Sequence, residues 1–439
     1  MKLRSYQQRD IQRIREAFKT NKRVLYVLPT GGGKTVTFNH IAGIAPGRVL
    51  ILVHRKELLN QAVEKFGGEC GTIEAGKPTP DARVIVGMVQ TVVNRINAMF
   101  KPSLIIIDEA HHANATTYQR ITNAFPCFVL GVTATPCRAD GSGLKESFDT
   151  IVEGPTMSDL IDEGYLVKPR CFAPTTIDTK QIKIVRGDFD QRETLEAVNR
   201  SSITGDVVKH YKKFANERPA VVFCISVQHA VNVAEVFRDS GISSAAVYGD
   251  MSKTERDETM QKFGNEIAVL CSCNLISEGV DVPGIYAAIL LRPTQSKGLF
   301  LQQVGRALRP APGKTQAIIL DHVGNCQRHG LPTDGHEWTL DAKKRRGRVE
   351  IIESVHQCEE CFYIYQSGRT CPECGHEREP TPREIEQREG ELKEIESTEN
   401  RKQQGRARGL DELIQIAKAR GYKTGWAYMV YNARKKNSK

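Results

Sequence analysis

The 439-residue chain lacks any uninterrupted apolar run that approaches the ~20 residues needed by a membrane-spanning helix. It also begins with a polar, charged segment instead of the apolar stretch of a secretory signal peptide. These absences predict a protein that is neither membrane-bound nor secreted, so we expect a cytoplasmic location. Disulfides are then not expected, and the twelve cysteines are interpreted as free thiols or metal ligands.

Acidic residues are the minority among the charged side chains, with 52 Asp and Glu against 62 Lys and Arg, for a net charge of +10. This excess favours a polyanionic partner such as nucleic acid, although a basic surface can also serve solubility alone. No combination of residues typical of a nuclease is present, so cleavage of nucleic acid would need a partner protein. The length predicts two or three domains, and an apolar fraction of 40% is sufficient for sizeable cores.

Short runs that are apolar on both faces alternate with amphipathic stretches over the first two-thirds of the chain, as in covered parallel sheets. A first group of strands is predicted at residues 24–28, 49–53, 84–87, 104–107 and 129–132. A second group is predicted at residues 220–224, 245–248, 268–271, 287–291 and 317–320. Residues 5–19 are predicted to be a helix with Ser5 and Gln8 at capping-box spacing, and residues 154–190 to be irregular. The predicted fold class is α/β, with two parallel-sheet domains in tandem.

The domain boundaries follow these patterns and a change of composition after residue 341. We expect two α/β domains at residues 1–153 and 154–345, followed by a cysteine-rich segment at 350–378. A charged linker is expected at residues 379–408 and a basic helical tail at 409–439.

The first predicted strand is followed by a glycine-rich loop, Thr30-Gly31-Gly32-Gly33-Lys34-Thr35. Glycines let backbone N–H groups approach phosphate oxygens, and the N-terminus of the next helix adds a favourable dipole. In such a loop Lys34 would reach the β- and γ-phosphates of ATP, and the Thr35 hydroxyl would hold Mg²⁺. Leu28 stands where the usual loop begins with Gly, and the alternative interpretation is a glycine-rich turn without a ligand.

Two carboxylates, Asp108 and Glu109, follow the apolar run at residues 104–107. Ligands bind at this end of the strands in open α/β sheets. Asp108 can therefore bind Mg²⁺, and Glu109 can orient and deprotonate the water that attacks the γ-phosphate. The alternative interpretation is a solvated acidic loop.

These motifs, in this order, resemble those of the superfamily 2 helicases of the DEAD/DEAH type over residues 3–325. The resemblance implies two RecA-like domains with ATP between them. It assigns recognition of adenine to Arg4, Tyr6 and Gln7. It assigns the coupling between the ATP state and domain closure to His111, Thr133 and Thr135.

The resemblance also implies loops at strand ends that grip nucleic acid, where cations and hydroxyls can hold phosphates. The corresponding residues of the first domain are His54, Arg55, Gln90 and Thr91. The candidates in the second domain are Ser226 and Gly249.

The second domain carries the sequence QQVGRALR at residues 302–309, which includes Gln302, Arg306 and Arg309. Two arginines three residues apart share a helix face, and across a cleft they can neutralise charge on the γ-phosphoryl group. We assign the arginine-finger role to Arg309 and a role in closure and orientation to Arg306. The alternative is a surface helix with scattered arginines.

A further motif of the family corresponds to residues 274–283. Gly279 would allow a close approach of the backbone, and Asp281 would contact the ribose or the arginines. Glu278 stands where many relatives have Arg, so no direct contact with phosphate is expected there.

Four cysteines have the spacing of a zinc ribbon, namely Cys358, Cys361, Cys371 and Cys374. Two CxxC turns that face each other supply the tetrahedral thiolate set that Zn²⁺ prefers, and so short a segment needs a metal to fold. An iron–sulfur cluster or a redox dithiol is the alternative. The ribbon is interpreted equally as a cap on the second domain or as a nucleic-acid grip that uses Phe362, Tyr363, Tyr365 and Arg369.

Two motor domains followed by a Cys₄ ribbon resemble the RadD branch and the related phage and prophage helicases, as do residues 291–296 and 311–315. This resemblance implies an ATP-dependent DNA helicase or translocase of replication, recombination or repair, in a bacterial cell or a phage-infected host cell. The alternatives are an RNA helicase, an ATP-gated DNA-binding or annealing factor, and the motor subunit of a restriction system. The tail is expected either to bind DNA or a replication or repair protein, or to cover apolar surface on the motor.

Overall fold

The computed structural model describes residues 3–66, 70–136, 142–173, 182–185, 187–200, 203–215, 218–276, 282, 284–341, 355–366, 368–378, 407, 409–419 and 425–437. The chain divides into two compact units, residues 1–379 and residues 380–439. In the part of the chain that the structure describes, no helix is long and apolar enough to cross a membrane.

A seven-stranded parallel sheet forms the first domain, with the strand order β3-β4-β2-β5-β6-β1-β7. Its strands are β1 (Arg23–Val27), β2 (Val49–Val53), β3 (Cys70–Ile73), β4 (Val84–Met88), β5 (Leu104–Asp108), β6 (Phe128–Thr133) and β7 (Thr150–Glu153). The five predicted strands are confirmed to within one residue at each end. The two edge strands, β3 and β7, escape prediction because their short sequences, CGTI and TIVE, are not uniformly apolar.

One helix precedes the sheet and four lie between its strands, in the order α1 (Ser5–Thr20), α2 (Lys34–Ile44), α3 (Lys56–Phe66), α4 (Val89–Val92) and α5 (Thr116–Ala124). The start of α1 corrects the expected capping pair of Ser5 and Gln8. Extended backbone at Arg4 places the N-cap there, and the Arg4 N–H donates to Gln7 Oε1 at 2.9 Å. The cap therefore lies one residue earlier than the sequence pattern indicates.

The described residues of the range 154–190 include regular elements, contrary to the expectation of an irregular segment. They contain α6 (Met157–Asp162), β8 (Lys168–Phe172) and an antiparallel hairpin of β9 (Ile184–Val185) and β10 (Asp188–Phe189). β8 begins with Lys168, Pro169 and Arg170, which interrupt any apolar pattern. An edge strand tolerates such residues because it pairs on one side only.

The second domain contains a six-stranded parallel sheet with the strand order β12-β13-β11-β14-β15-β8. Its other strands are β11 (Ala220–Phe223), β12 (Ser244–Tyr248), β13 (Val269–Cys273), β14 (Ala287–Leu290) and β15 (Gln316–Asp321). Its helices are α7 (Gln191–Arg200), α8 (Ile203–His210), α9 (Val227–Asp239), α10 (Lys253–Lys262), α11 (Lys297–Ala307) and α12 (Asn325–His329). The five predicted strands are present to within two residues at each end, which confirms two parallel-sheet α/β domains.

Two smaller elements follow the sheets. The cysteine-rich segment forms a hairpin of β16 (His356–Gln357) and β17 (Ile364–Tyr365). In the second compact unit, α13 (Leu410–Ala419) and α14 (Gly425–Asn437) pack together around Leu413, Ala417 and Ala427. The helical tail that the sequence predicts is therefore a helical pair.

Candidate functional site

The glycine-rich loop has a backbone that only glycine adopts without strain. Gly31 and Gly33 have φ angles of +86° and +84°, and Gly33 is the N-cap of α2. A Cβ atom on Gly33 would lie 2.7 Å from Gln7 Nε2, and one on Gly31 would lie 2.8 Å from Leu166 Cδ2. Glycine is therefore required at both positions, for the backbone conformation and for the close packing of Gln7 and Leu166, and a loop of this shape at the start of α2 is typical of a phosphate-binding loop.

The departure at Leu28 has a structural explanation. Leu28 is fully buried, and a Cβ atom on Gly32 would lie 2.8 Å from Leu28 Cγ. The Leu28 N–H also donates to the Thr133 carbonyl at 3.0 Å. A leucine at this position thus packs beneath the loop and links it to the segment that contains Thr133 and Thr135.

The two carboxylates lie where β5 ends, and both are buried, with 5% exposure for Asp108 and 8% for Glu109. Glu109 has a left-handed backbone, with a φ of +50°, and its N–H donates to Asp108 Oδ1 at 3.0 Å. His111 Nδ1 lies 3.4 Å from Glu109 Oε2 and 3.3 Å from Thr133 Oγ1. Thr133 Oγ1 in turn donates to the Thr135 carbonyl at 3.0 Å. A continuous chain of contacts therefore joins the carboxylates to the predicted coupling residues.

Charges at the loop and at the end of β5 influence one another. Burial, together with the neighbouring Glu109 carboxylate, raises the pKa of Asp108 to about 6. Burial also acts to raise the pKa of Glu109, but the charge of Lys34 and the hydrogen bond from His111 outweigh it, so this pKa is lowered. Burial lowers the pKa of Lys34, whereas Glu109 and Asp108 favour its charged form. Glu109 is therefore held as a carboxylate next to a lysine.

The donor set fits ATP with Mg²⁺. Thr35, the second residue of α2, and Asp108, the last residue of β5, offer a hydroxyl and a carboxylate oxygen, which are donors that Mg²⁺ prefers. The buried Thr30 hydroxyl oxygen has no hydrogen-bond partner within the described residues. Since buried polar groups normally have a partner, this hydroxyl fits a loop that is completed by a ligand.

The predicted adenine-reading residues contact the loop. Tyr6 OH donates to the Gly32 carbonyl at 2.5 Å, and Gln7 Nε2 donates to the Gly33 carbonyl at 3.3 Å. The Arg4 guanidinium lies 4.5 Å from the centre of the Tyr165 ring. Tyr165 thus belongs to this end of the site although no sequence motif indicated it. The reading of adenine by Arg4, Tyr6 and Gln7 stays a prediction.

The two arginines approach the loop from the second domain. A Cβ atom on Gly305 would lie 2.6 Å from Thr30 Cβ, and one on Gly31 would lie 3.6 Å from Arg309 Cγ. The charge of Arg306 helps to lower the pKa of Glu109. Contact and charge therefore bring both halves of the candidate site together.

The positions of these arginines correct one expectation. Helix α11 ends at Ala307, so Arg306 lies in its last turn whereas Arg309 lies beyond its end. The helix expected over both arginines therefore ends two residues before Arg309, although the charges of both arginines, besides burial, act to lower the pKa of Lys34. Gln302 is buried one turn before Arg306 in the same helix.

Lys314 is a residue of this site that the sequence did not single out for a role. Its Nζ donates to the carbonyl of Arg309 at 2.8 Å, and also to the carbonyls of Ala307 and Ile285. Burial, and then the charge of Arg309, lower the pKa of Lys314 to about 8. Lys314 thus fixes the turn that presents Arg309 after α11 ends.

Gly279 and Asp281 lie outside the described residues, as does Glu278. The described residues of their motif include Leu275, Ile276 and Val282, all of which are buried. The roles of Gly279 and Asp281 stay predictions.

The candidate nucleic-acid residues all follow strands at the carboxyl edges of the two sheets, the edge at which Asp108 lies. They follow β2 (His54 and Arg55), β4 (Gln90 and Thr91), β11 (Ser226) and β12 (Gly249). Arg55 donates to the Asn274 carbonyl of the second domain at 3.3 Å. Ser226 Oγ accepts from the His229 N–H at 3.1 Å and caps α9, which gives this serine a structural role.

The four cysteines form a cluster that fits a zinc ion. Their sulfur atoms all lie within 4.8 Å of one another. The Cys358–Cys374 and Cys361–Cys371 pairs are each 3.6 Å apart. Zn–S bonds of about 2.3 Å in a tetrahedron place sulfur atoms ~3.8 Å apart. The geometry therefore supports the four-thiolate site.

The ribbon packs on the edge of the second sheet. Tyr363 pairs with Phe172 of β8, and the two ring centres lie 5.5 Å apart. The Ala173 N–H donates to the Phe362 carbonyl at 3.0 Å, and Arg170 forms an ion pair with Glu373. These contacts favour the cap over the nucleic-acid grip, since they attach the ribbon to β8 and engage the ring of Tyr363, one of the aromatic residues that a grip would use.

Two family models match the chain. Residues 1–138 match the type III restriction enzyme res subunit, and residues 204–311 match the helicase conserved C-terminal domain. A 51.5 kDa protein of a Lactococcus phage (isolate 7-9) is 38% identical over 358 residues, which cover 80% of this chain and 77% of that protein. A second relative is IRC3 of Saccharomyces cerevisiae, which is named provisionally as an ATP-dependent helicase. It is 33% identical to this chain over 355 residues, which cover 73% of this chain and 51% of that protein.

Solved structures share the fold, and one of them illustrates the similarity. The ATP-dependent type ISP restriction-modification enzyme LlaBIII, in a structure bound to DNA, aligns with a TM-score of 0.56 at 18% identity. The alignment covers 73% of this chain and 28% of that enzyme. The chain therefore spans most of the phage protein, about half of the yeast protein and a smaller part of the restriction enzyme.

Proposed function

The chain belongs to the superfamily 2 helicases, a group of ATP-hydrolysing nucleic-acid enzymes, and we propose that it is an ATP-driven DNA translocase or helicase of replication, recombination or repair. The observation that supports this proposal is that residues of both α/β domains meet at the candidate ATP site. The loop at Gly31 and the arginine turn at Arg309 lie within van der Waals reach of each other. A site with two halves lets hydrolysis act on the relative position of two domains.

The residues of the first domain would bind and activate the substrate. Backbone N–H groups of the loop and Lys34 would hold the phosphates, and Glu109 would orient the attacking water and accept its proton. When bound by Thr35 and Asp108, Mg²⁺ would neutralise phosphate charge. His111 contacts both Glu109 and Thr133, so a movement of the Glu109 carboxylate would be transmitted to Thr133 through the imidazole.

The residues of the second domain would stabilise the transition state. Arg309 would neutralise the charge that develops on the γ-phosphoryl group, and Arg306 would orient the closed cleft. Loss of the γ-phosphate would weaken this bridge and let the domains separate. Because each domain also has candidate nucleic-acid residues at the same sheet edge, such a cycle would move the protein along a strand.

The net charge of +10 favours a nucleic acid of either kind, and DNA is proposed over RNA on the basis of the Cys₄ ribbon and the resemblance to the RadD and phage branch. Counterion release on binding of basic residues to phosphates supplies affinity without sequence preference. The experiment compares ATP hydrolysis with single-stranded DNA, duplex DNA, forked DNA and RNA, and includes Lys34→Ala as the inactive control. We expect DNA to stimulate hydrolysis by the wild type and Lys34→Ala to lose it.

Two results would overturn parts of the proposal. Stronger stimulation by RNA than by any DNA would make the protein an RNA helicase. Stimulated hydrolysis by Lys34→Ala would remove the assigned ATP site altogether.

A further inference from the structure

The connection between the two α/β domains runs from α6 to β8 and passes directly beside the candidate ATP site. Three consecutive residues, Tyr165, Leu166 and Val167, follow α6 and precede β8. Gly164, with a φ of +74°, ends α6, and the N–H groups of Tyr165 and Leu166 donate to the Leu160 carbonyl at 2.8 and 2.9 Å. This pattern is typical of a closed helix end, so the connection is fixed to the helix that precedes it.

Tyr165 contacts two of the residues to which the recognition of adenine is assigned. The Arg4 guanidinium lies 4.5 Å from the centre of the Tyr165 ring. The Tyr6 ring meets the same ring edge-on, with the ring centres 5.2 Å apart, and Arg4 Nη1 donates to Tyr6 OH at 3.0 Å. A cation over an aromatic face is attracted by the ring, so the position of Arg4 depends on Tyr165.

Leu166 packs against the phosphate-binding loop and is buried. A Cβ atom on Gly31 would lie 2.8 Å from Leu166 Cδ2 and 3.6 Å from Arg309 Cγ. Because one added atom would meet both side chains, Leu166 and Arg309 lie on the same side of Gly31. The connection between the domains is therefore a direct neighbour of the loop and of the proposed arginine finger.

Val167 is hydrogen-bonded to the residue that precedes the arginine finger. Its N–H donates to the Leu308 carbonyl at 2.9 Å, and both residues are buried. Leaving such a buried N–H without a partner is costly, so the two segments are expected to move together. Arg309 follows Leu308 in the turn beyond α11, so a displacement of Val167 would be transmitted to the backbone of Arg309.

We propose that residues 165–167 couple the recognition of the base to the position of Arg309, so that adenine determines the rate of hydrolysis as well as the affinity. Tyr165 is then a positioning residue that acts through Arg4 on one side and through the Val167 N–H on the other. The inference rests on the proposed function, because it requires ATP to lie between the two domains. Since the same segment joins the domains covalently, closure of the cleft must act on it.

The test compares ATP with GTP, which differ only in the base, in single-turnover hydrolysis at saturating nucleotide and single-stranded DNA. The variant is Tyr165→Ala, and Tyr165→Phe is its conservative counterpart because it keeps the ring beside Arg4. The matched control is Tyr286→Ala. Tyr286 is also partly buried, with the Arg218 guanidinium 4.3 Å from its ring centre, but it lies before β14, away from the carboxyl edge of the second sheet.

We expect the wild type to hydrolyse ATP about tenfold faster than GTP or more. Tyr165→Ala should lower the rate with ATP by about tenfold, as the loss of a partly buried cation–π pair can do, and should change the rate with GTP by less than about twofold. Tyr165→Phe should keep most of the preference for ATP. Tyr286→Ala should leave the ratio of the two rates unchanged.

A second comparison asks whether Tyr165 acts through the arginine finger. In an Arg309→Ala background, Tyr165→Ala should lower the rate with ATP by less than about twofold, because a positioning residue has no effect once the group that it positions is gone. A further loss of about tenfold in this background would show that Tyr165 acts independently of Arg309 and would overturn the inference.

Three other outcomes also overturn it. Equal wild-type rates with ATP and GTP would show that the base does not influence the finger. A parallel fall with both nucleotides in Tyr165→Ala would make Tyr165 a residue of the scaffold alone, and a higher KM for ATP at an unchanged kcat would confine it to base binding. A wild type without DNA-stimulated hydrolysis would instead contradict the proposed function, so the two failures are distinguishable.

Discussion

The two α/β domains have the same parallel construction, yet they form their halves of the ATP site differently. The first domain uses short, contiguous segments, in which left-handed glycines and the end of β5 place the loop and the carboxylates. The second domain presents Arg309 from a turn beyond α11, and this turn depends on Lys314 and on the Ile285 carbonyl. The first half is therefore specified locally and the second half by tertiary contacts.

This difference teaches that the two halves should fail differently. A substitution in the half of the ATP site that belongs to the first domain removes a chemical group and leaves the surrounding structure intact. A change in the scaffold of the second domain should disturb the geometry of the arginines without touching ATP.

Removal of zinc should destabilise the second domain and spare the first. The ribbon pairs with the edge strand β8 through Tyr363 and Phe172, and structural zinc contributes about 10 kcal/mol of folding free energy in small zinc domains. We expect equimolar zinc by metal analysis and, after chelation, faster hydrogen exchange in β8 but not in β1. Unchanged hydrogen exchange in β8 after complete removal of the metal would contradict the interpretation of the ribbon as a cap on the second domain.

Glu109→Gln should abolish turnover but preserve ATP binding. The amide cannot accept the proton of the attacking water, and the loss of a general base lowers turnover by about 10³-fold. ATP affinity is measured by titration and turnover by phosphate release. The control is Glu16→Gln on the exposed face of α1, and near-normal turnover by Glu109→Gln would exclude this glutamate as the base.

Lys314→Met should disturb the arginine turn while leaving both arginines in place. Loss of the hydrogen bonds to the carbonyls of Arg309 and Ala307 is expected to lower kcat by about tenfold, with little change in KM for ATP. Lys314→Arg should restore part of the rate, and Lys262→Met on the exposed end of α10 should have no effect. An increase in KM alone would instead indicate that Lys314 acts on ATP binding.

Acidification should weaken the second domain through its buried histidines. Burial lowers the pKa of His322 to about 3 and those of His229 and His329 to about 4. The unfolded chain binds protons near pH 6.5 while these folded sites stay neutral, so stability is complete above that pH and is lost as the pH falls below it. Each group should cost about 1 kcal/mol between pH 7 and 5.5.

This pH dependence is measured by denaturant unfolding at the two pH values. His322→Phe should reduce the pH-dependent loss of unfolding free energy by the amount that His322 contributes. The substitution breaks no hydrogen bond within the described residues, because the buried imidazole makes none there. An equal loss in His322→Phe and the wild type would show that this histidine does not contribute.

The contrast between the halves also explains what the sequence could predict. Ten strands, the glycine-rich loop and the carboxylates were predictable because each depends on residues that are adjacent in the chain. β8 was not predictable, because Lys168, Pro169 and Arg170 interrupt the apolar pattern by which a strand is recognised. Tyr165 and Lys314 were not, since their roles depend on partners that lie far away in sequence.

The hairpin at Ile184 and the position of Arg309 were missed for related reasons. Strands of two residues are too short to produce a periodic pattern. The sequence QQVGRALR predicts one continuous helix. In the structure the helix ends at Ala307, and Lys314 donates to the Ala307 carbonyl where the chain turns.

The central claim is that the second domain completes the ATP site of the first, and Arg309→Ala tests it most directly. In single-turnover experiments with saturating single-stranded DNA, we expect ATP affinity to change little while the rate of hydrolysis falls by about 10³-fold, as for the loss of an arginine finger. Hydrolysis by Arg309→Ala within about twofold of the wild-type rate would contradict a shared site.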